Sequence, residues 1–293
     1  MRYVIALGGN AIKDSSSIAY VADVIAGLYA RRNEVVVTHG NGPQVGELAE
    51  SERRNLAILT AQTEAWIGLE ISNKISVALR KANVARNHSI PAVVLTDVLV
   101  SNDPDAFKNP SKPIGRFYNE KEAELLRKKG LSVKKLIHGY RRVVPSPHPK
   151  TILQKDLIEY LLKGRHIVIA CGGGGIPLID SYGRLEYVDA VIDKDRASGL
   201  LAKEIKADRF IILTNVDGAY INFGKKNHEL LKRIKAVKIR EYLDLGYFED
   251  GSMGPKVESC IDFVKSTGKM AEIGNMSNPE DITLQKRHTI VIP

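Results

Sequence analysis

Five short aliphatic runs stand out along the chain: Tyr3–Leu7, Glu34–Thr38, Ala92–Leu95, His166–Ala170 and Phe210–Thr214. Each has the length of a strand and is apolar almost without interruption, the pattern of strands buried on both faces. Between them, apolar residues recur every three to four positions over Ile18–Tyr29, Ala57–Leu79, Glu120–Lys129, Ile152–Leu162 and Asp195–Ile205. That spacing predicts amphipathic helices. Strand alternating with helix predicts an α/β fold, with a mostly parallel sheet covered on both faces.

One stretch breaks the rhythm. From Asp97 to Lys150 the chain carries Pro104, Pro110, Pro113, Pro145, Pro147 and Pro149, and we read it as an excursion from the sheet, a lid-like subdomain. Heptads, internal repeats and low-complexity tracts are absent from the sequence.

In parallel sheets, ligands bind beyond the carboxyl ends of the strands, where loops and helix N-termini converge. The glycines cluster there: Gly8-Gly9-Asn10 after the first strand, Gly40-Asn41-Gly42-Pro43 after the second, Gly172 to Gly175 and Asn215-Val216-Asp217-Gly218 after later ones. One such turn would be read as structural, but four together suit a ligand with several phosphate or carboxylate oxygens.

Composition narrows the classes. The 293 residues are 44% hydrophobic and 26% charged, enough for a substantial core. No apolar run approaches the roughly 20 residues needed to cross a bilayer, and the apolar start is too short for a signal peptide, so a cytoplasmic protein without membrane contact is expected. The net charge of +9 is spread over apparent helix faces such as Arg127-Lys128-Lys129 and Lys232-Arg233. With 6% aromatic residues and no stacking stripe, it implies solvated surface, and no specific nucleic-acid partner is expected. Cys171 and Cys260 sit in unlike contexts and are read as buried thiols. The histidines lack paired metal spacing, so no metal site is assigned and none is taken as a base. Trp66 is read as core packing.

Two familiar phosphate motifs are excluded. G-x-x-x-x-G-K-[ST] does not occur, and Gly40-Asn41-Gly42-Pro43-Gln44-Val45-Gly46 misses G-x-G-x-x-G by one residue. The second chemical signal is instead a set of lysines in glycine- or proline-bounded turns: Lys112, Lys194 and Lys256. Phosphoryl transfer asks mainly for aligned oxygens and neutralised charge, which such lysines supply. Asp195, at an apparent helix start, is either an N-cap or a carboxylate that orients lysine ammonium groups. Asp217 is equally a turn residue or a group near the nucleotide.

Taken in order, Ala6-Leu7-Gly8-Gly9-Asn10-Ala11, Thr38 to Gly46, Pro110-Ser111-Lys112-Pro113-Ile114-Gly115, Arg141-Arg142-Val143-Val144-Pro145-Ser146-Pro147, Gly172 to Pro177, Val191-Ile192-Asp193-Lys194-Asp195 and Gly251-Ser252-Met253-Gly254-Pro255-Lys256 resemble the carbamate kinases of the amino-acid kinase family. The resemblance spans nearly the whole chain. It implies a three-layer αβα sandwich around about eight mainly parallel strands, with an acceptor lobe over 1–190, its protruding subdomain over about 97–150, and a nucleotide lobe over 191–293. The implied reaction is reversible phosphoryl transfer between ATP, with Mg²⁺, and carbamate, giving ADP and carbamoyl phosphate, in a homodimer.

By the same resemblance, Gly8, Gly9, Asn10, Gly40, Asn41 and Gly42 would cradle the acceptor and the moving phosphate. Lys112 would reach in from the subdomain, Lys194 and Lys256 would hold the ATP phosphates, and Asp195 would organise the lysines. Asp217, Ala219, Met253, Gly254 and Pro255 would line the nucleotide site. The segments 11–33 and 47–66 are shorter than in the carbamate kinases resembled. That leaves open another small carboxylate or phosphate acceptor. A separate alternative is a nucleotide-binding regulator without turnover, against which the three loop lysines count.

Overall fold

A computed structural model describes residues 1–9, 15–52, 54–84, 90–249, 251–280 and 286–293. Asn10 lies outside the described residues. From the N-terminus, β1 (Arg2–Leu7), α1 (Ser15–Ala30) and β2 (Glu34–His39) form a parallel crossover, in register from Arg2 opposite Glu34 to Leu7 opposite His39. Then come α2 (Gly42–Ser51), α3 (Leu56–Lys81) and the short β3 (Ala92–Val93).

The excursion follows. It contains β4 (Asp97–Val100), α4 (Pro104–Lys108), β5 (Lys112–Tyr118), α5 (Glu120–Lys128), β6 (Val133–Leu136), β7 (Gly139–Val144) and β8 (Pro149–Ile152). The chain returns through α6 (Lys155–Lys163) and β9 (Val168–Ile169) to a tight turn at Gly172–Gly174, then β10 (Ile176–Ser181) and β11 (Arg184–Tyr187). The last third holds α7 (Lys194–Glu204), β12 (Arg209–Thr214), β13 (Tyr220–Ile221), β14 (Glu229–Leu230), β15 (Arg233–Lys235), α8 (Ala236–Asp244), α9 (Met253–Thr267), β16 (Met270–Asn275) and β17 (Thr289–Ile292).

The main sheet has eight strands in the order β15-β17-β16-β12-β1-β2-β9-β3. Pairing is parallel except between β16 and β17, so two strands at one end run against the other six. Successive side chains of a strand point to opposite faces, and here both faces are buried. Val4 and Ala6 of β1 join a core with Val36, Phe210, Ile212, Ile261 and Phe263. Ile5 and Leu7 join a second core with Val35, Val37, Ile25, Ile71 and Ile75. Helices α7 and α9 cover the first face, α1 and α3 the second, which makes the expected three-layer αβα sandwich.

A second sheet, β11-β10-β4-β8, roots the excursion, and a three-stranded antiparallel sheet, β5-β7-β6, carries its outer part. Gly46 on α2 lets that outer sheet dock, because a Cβ there would stand 2.1 Å from the Gly115 Cα. Both cysteines are buried and free.

Some expectations shift. Trp66 is not core: it is 47% exposed on the outer side of α3, and its ring N–H donates to Glu70. Ile152 ends β8 rather than starting α6. In α7 the N-cap is Asp193, whose carboxylate accepts from the N–H groups of Asp195 (2.9 Å) and Arg196 (3.2 Å). Asp195 is therefore two positions past the cap, with its side chain available to pair with lysines.

Candidate active site

Parallel pairing brings the carboxyl ends of β1, β2 and β12 side by side, and with them Gly8-Gly9, Gly40-Asn41-Gly42 and Thr214-Asn215. Glycine is needed at position 40 because a Cβ would lie 2.9 Å from the Gly9 nitrogen. Gly173, at φ +66, faces the Asn41 side chain, which a Cβ would strike at 2.2 Å. Not every glycine N–H is available to a ligand. Gly8 donates to Leu213 O and Gly40 to Leu7 O, so these two allow close approach rather than anion binding. Donors are concentrated at the start of α2, where the Asn41 side chain gives no cap and turns instead to the Thr63 hydroxyl, 2.9 Å away. Uncapped first-turn N–H groups at a positive helix end suit an anion.

The opposite wall is charged. Lys194 opens α7 and pairs with Asp195. Lys256, in the first turn of α9, reaches the other oxygen of Asp195 at 3.1 Å and the Ser252 carbonyl at 3.0 Å. Lys112, at the start of β5, crosses from the β5-β7-β6 sheet to Asp193 at 2.5 Å. Three elements distant in sequence thus place three ammonium groups and two carboxylates around one cleft, with Gly9, Asn41, Arg141 and Asn215 on its rim. Lys194 and Asp195 are 7% and 3% exposed, so their charges interact in a poorly screened setting.

Burial lowers the Lys194 pKa, with Asp195 opposing. For Lys256 burial also works downward, but Asp195 and Asp193 outweigh it and its pKa is raised. Burial pushes both aspartates upward, but the lysines prevail: Asp193 is held down chiefly by Lys112 and Asp195 chiefly by Lys194. The carboxylates stay ionised and the lysines stay aimed.

A second cleft adjoins the first and shares Thr214, Asn215, Ser252 and Lys256 with it. Tyr220, Phe223 and Tyr247 line it, with Met253 on one side and His138 reaching over from the β6–β7 hairpin. The other expected nucleotide residues are placed differently. Ala219 is fully buried and donates its N–H to the Thr289 hydroxyl. Asp217 accepts from the Asn275 amide at 2.9 Å, with Arg287 3.5 Å away. Gly254 and Pro255 face a groove between α9 and the β5-β7-β6 sheet, beside Ser111 and Lys134.

Beneath the glycine loops lie two buried groups that the sequence did not single out, His39 and Glu64. Burial lowers His39 to about 4 and raises Glu64 to about 8. The Glu64 carboxyl accepts from Gly172 N–H (2.8 Å) and Thr96 N–H (3.2 Å), fixing the turn that supports Asn41. Its only trace in the sequence is a charge on the buried side of the Ala57–Leu79 pattern. Between pH 4.5 and 8 the folded state keeps a Glu64 proton that the unfolded chain releases, so this group lowers stability as pH rises. Relative to wild type, Glu64→Gln should gain about 2 kcal/mol between pH 6.5 and 8, the His39 titration being common to both proteins. Urea melts across that range check it, and parallel curves for the two proteins would refute it.

The geometry has counterparts among known proteins. The amino acid kinase family model matches residues 1–275. The carbamate kinase of Thermoplasma volcanium is 42% identical, with both chains covered completely. The chain belongs to the amino acid kinase family. Among solved structures, a protein of Aeropyrum pernix K1 superposes with a TM-score of 0.88 at 40% identity, covering 100% of this chain and 99% of that one. The carbamate kinase of Giardia lamblia bound to AMP-PNP gives 0.85 at 35% identity, covering 99% and 98%. Membership makes the protein an ATP-dependent kinase. Among the described residues no helix is long and apolar enough to cross a membrane.

Proposed function

We propose that the enzyme transfers a phosphoryl group reversibly between ATP and carbamate, giving ADP and carbamoyl phosphate. The observation that carries this reading is the clamp of Lys112, Lys194 and Lys256, aimed by Asp193 and Asp195 across a cleft from the glycine loops. A carbamate oxygen attacks the γ-phosphorus in line. The new P–O bond forms as the bond to the β-phosphate oxygen breaks, and ADP leaves with that electron pair. Lys256, shared by both clefts, screens the phosphates on the nucleotide side, Lys194 the moving group and Lys112 the acceptor side. The α2 N-terminus adds fixed partial positive charge.

Mg²⁺ would come with the nucleotide substrate and help to screen its phosphate charge. Asp193 and Asp195 are engaged by ammonium groups, so the ion would be held mainly by the nucleotide's own phosphate oxygens. In this reading residues 1–190 serve the acceptor and 191–293 the nucleotide, with the cleft straddling one continuous sheet. Assembly as a homodimer belongs to the same reading, supported by the open sheet edge at β3, where Leu69, Ile90 and Leu95 are exposed.

The test is ATP formation from carbamoyl phosphate and Mg·ADP by the purified protein. Rapid formation that Lys194→Ala abolishes is the expected result. Silence with intact ADP binding would overturn the carbamate assignment and leave another small acceptor.

A further inference from the structure

The Arg141-Arg142-Val143-Val144-Pro145-Ser146-Pro147 run has no role in the reaction as derived so far, yet it places a cation in the phosphate cleft. Arg141 sits on β7, in the same protruding sheet as Lys112. Its Nη2 donates to Gly115 O at 2.7 Å, and its guanidinium stands 5.4 Å from the centre of the Phe117 ring. Those contacts fix its direction. The three cleft lysines each pair with a carboxylate. Among the described residues Arg141 pairs with none, and its Nε is buried without a partner. A desolvated guanidinium donor without an acceptor is costly in a resting protein, and is accounted for when the acceptor is a ligand.

The position says which ligand. Arg141 lines the cleft with Gly9, Gly40 and Asn41 and takes no part in the aromatic-lined nucleoside cleft. We propose that Arg141 binds the anionic acceptor, carbamate or carbamoyl phosphate, from the protruding sheet. Together with Lys112 it makes that sheet the part of the enzyme that selects the small anionic acceptor. This rests on the phosphoryl-transfer reading above. Arginine suits the task because its planar fork meets carboxylate or phosphoryl oxygens with directed N–H groups and stays charged at any working pH. Arg142, on the opposite face of β7, donates instead to Ala49 O at 3.3 Å and holds the sheet against α2.

The test compares wild type with Arg141→Met, which keeps an apolar stem over Phe117, and with Arg141→Lys, which keeps charge without the fork. In ATP synthesis from carbamoyl phosphate, Arg141→Met should raise the carbamoyl phosphate KM at least tenfold and leave the ADP KM within twofold. Arg141→Lys should fall between. A carbamoyl phosphate KM like that of wild type, or one that rises only in step with the ADP KM, would overturn the assignment, since a structural arginine would disturb both substrates. Calorimetric titration with inorganic phosphate gives a readout independent of turnover. Tighter binding by wild type than by Arg141→Met supports the site, whereas equal affinity or no binding by either overturns it. An active wild type with unaffected variants would defeat this inference alone; a wild type silent toward carbamoyl phosphate would defeat the parent reading.

Discussion

Lys112→Ala should lower kcat about a thousandfold while leaving ADP affinity within about twofold of wild type. Lys112 enters the cleft from β5 and does not line the aromatic-lined cleft proposed for the nucleoside, so in that reading its charge acts on the group in flight more than on bound nucleotide. Removing one preorganised donor of this kind costs about 3 to 4 kcal/mol of transition-state stabilisation. The fold should tolerate the loss. Asp193, the partner left behind, still caps α7 through two backbone N–H groups and still feels Lys194 and Lys256. Single-turnover ATP formation beside calorimetric ADP binding separates the two effects. A kcat near wild type would remove Lys112 from the catalytic set, and a matching loss of ADP affinity would make it a nucleotide anchor instead.

Asp195→Asn should be damaging in a different way, because it unbalances the site. Asp195 holds Lys194 with one oxygen and Lys256 with the other. Without its charge two largely buried ammonium groups face one another, and breaking a buried pair by removing one partner costs about 3 to 5 kcal/mol. For a chain of this size that is a fall in melting temperature on the order of 10 °C. Lys194, already lowered by burial, loses the carboxylate that opposes the shift and moves lower still. Residual activity should therefore fall away at lower pH than in wild type, as that lysine deprotonates. Calorimetric melting and a pH–rate profile check both parts. An unchanged melting temperature with an unchanged profile would show that the two lysines do not depend on Asp195.

The core of the sheet was legible because burial on both faces leaves an unmistakable trace: Tyr3–Leu7, Glu34–Thr38 and Phe210–Thr214 became β1, β2 and β12 almost residue for residue. Long helices such as α3 were legible from their period. Ala92–Leu95 and His166–Ala170 also became strands, β3 and β9, but of two residues each, because pairing ends there through geometry rather than through any change in apolar character. Trp66 misled for a related reason, since the pattern identifies an apolar stripe but not its edge.

Within the candidate site, local chemistry pointed to the glycine loops and to Lys112, Lys194, Asp195 and Lys256, because glycine after a strand and lysine in a rigid turn are unusual enough to notice. What the sequence alone determined was therefore the layered fold and the residue types of an anion-binding cleft. Only tertiary structure decided who meets whom. Asp193 is cap to α7 and partner to Lys112, 81 positions away; Gly8 and Gly40 spend their N–H groups on neighbouring strands; Glu64 carries a proton under the loops; and the buried Arg141 Nε has no partner among the described residues. Each of these depends on separations set by sheet order and lobe packing. Coulombic and hydrogen-bond energies change over a few ångströms, a scale that spacing along a chain does not encode.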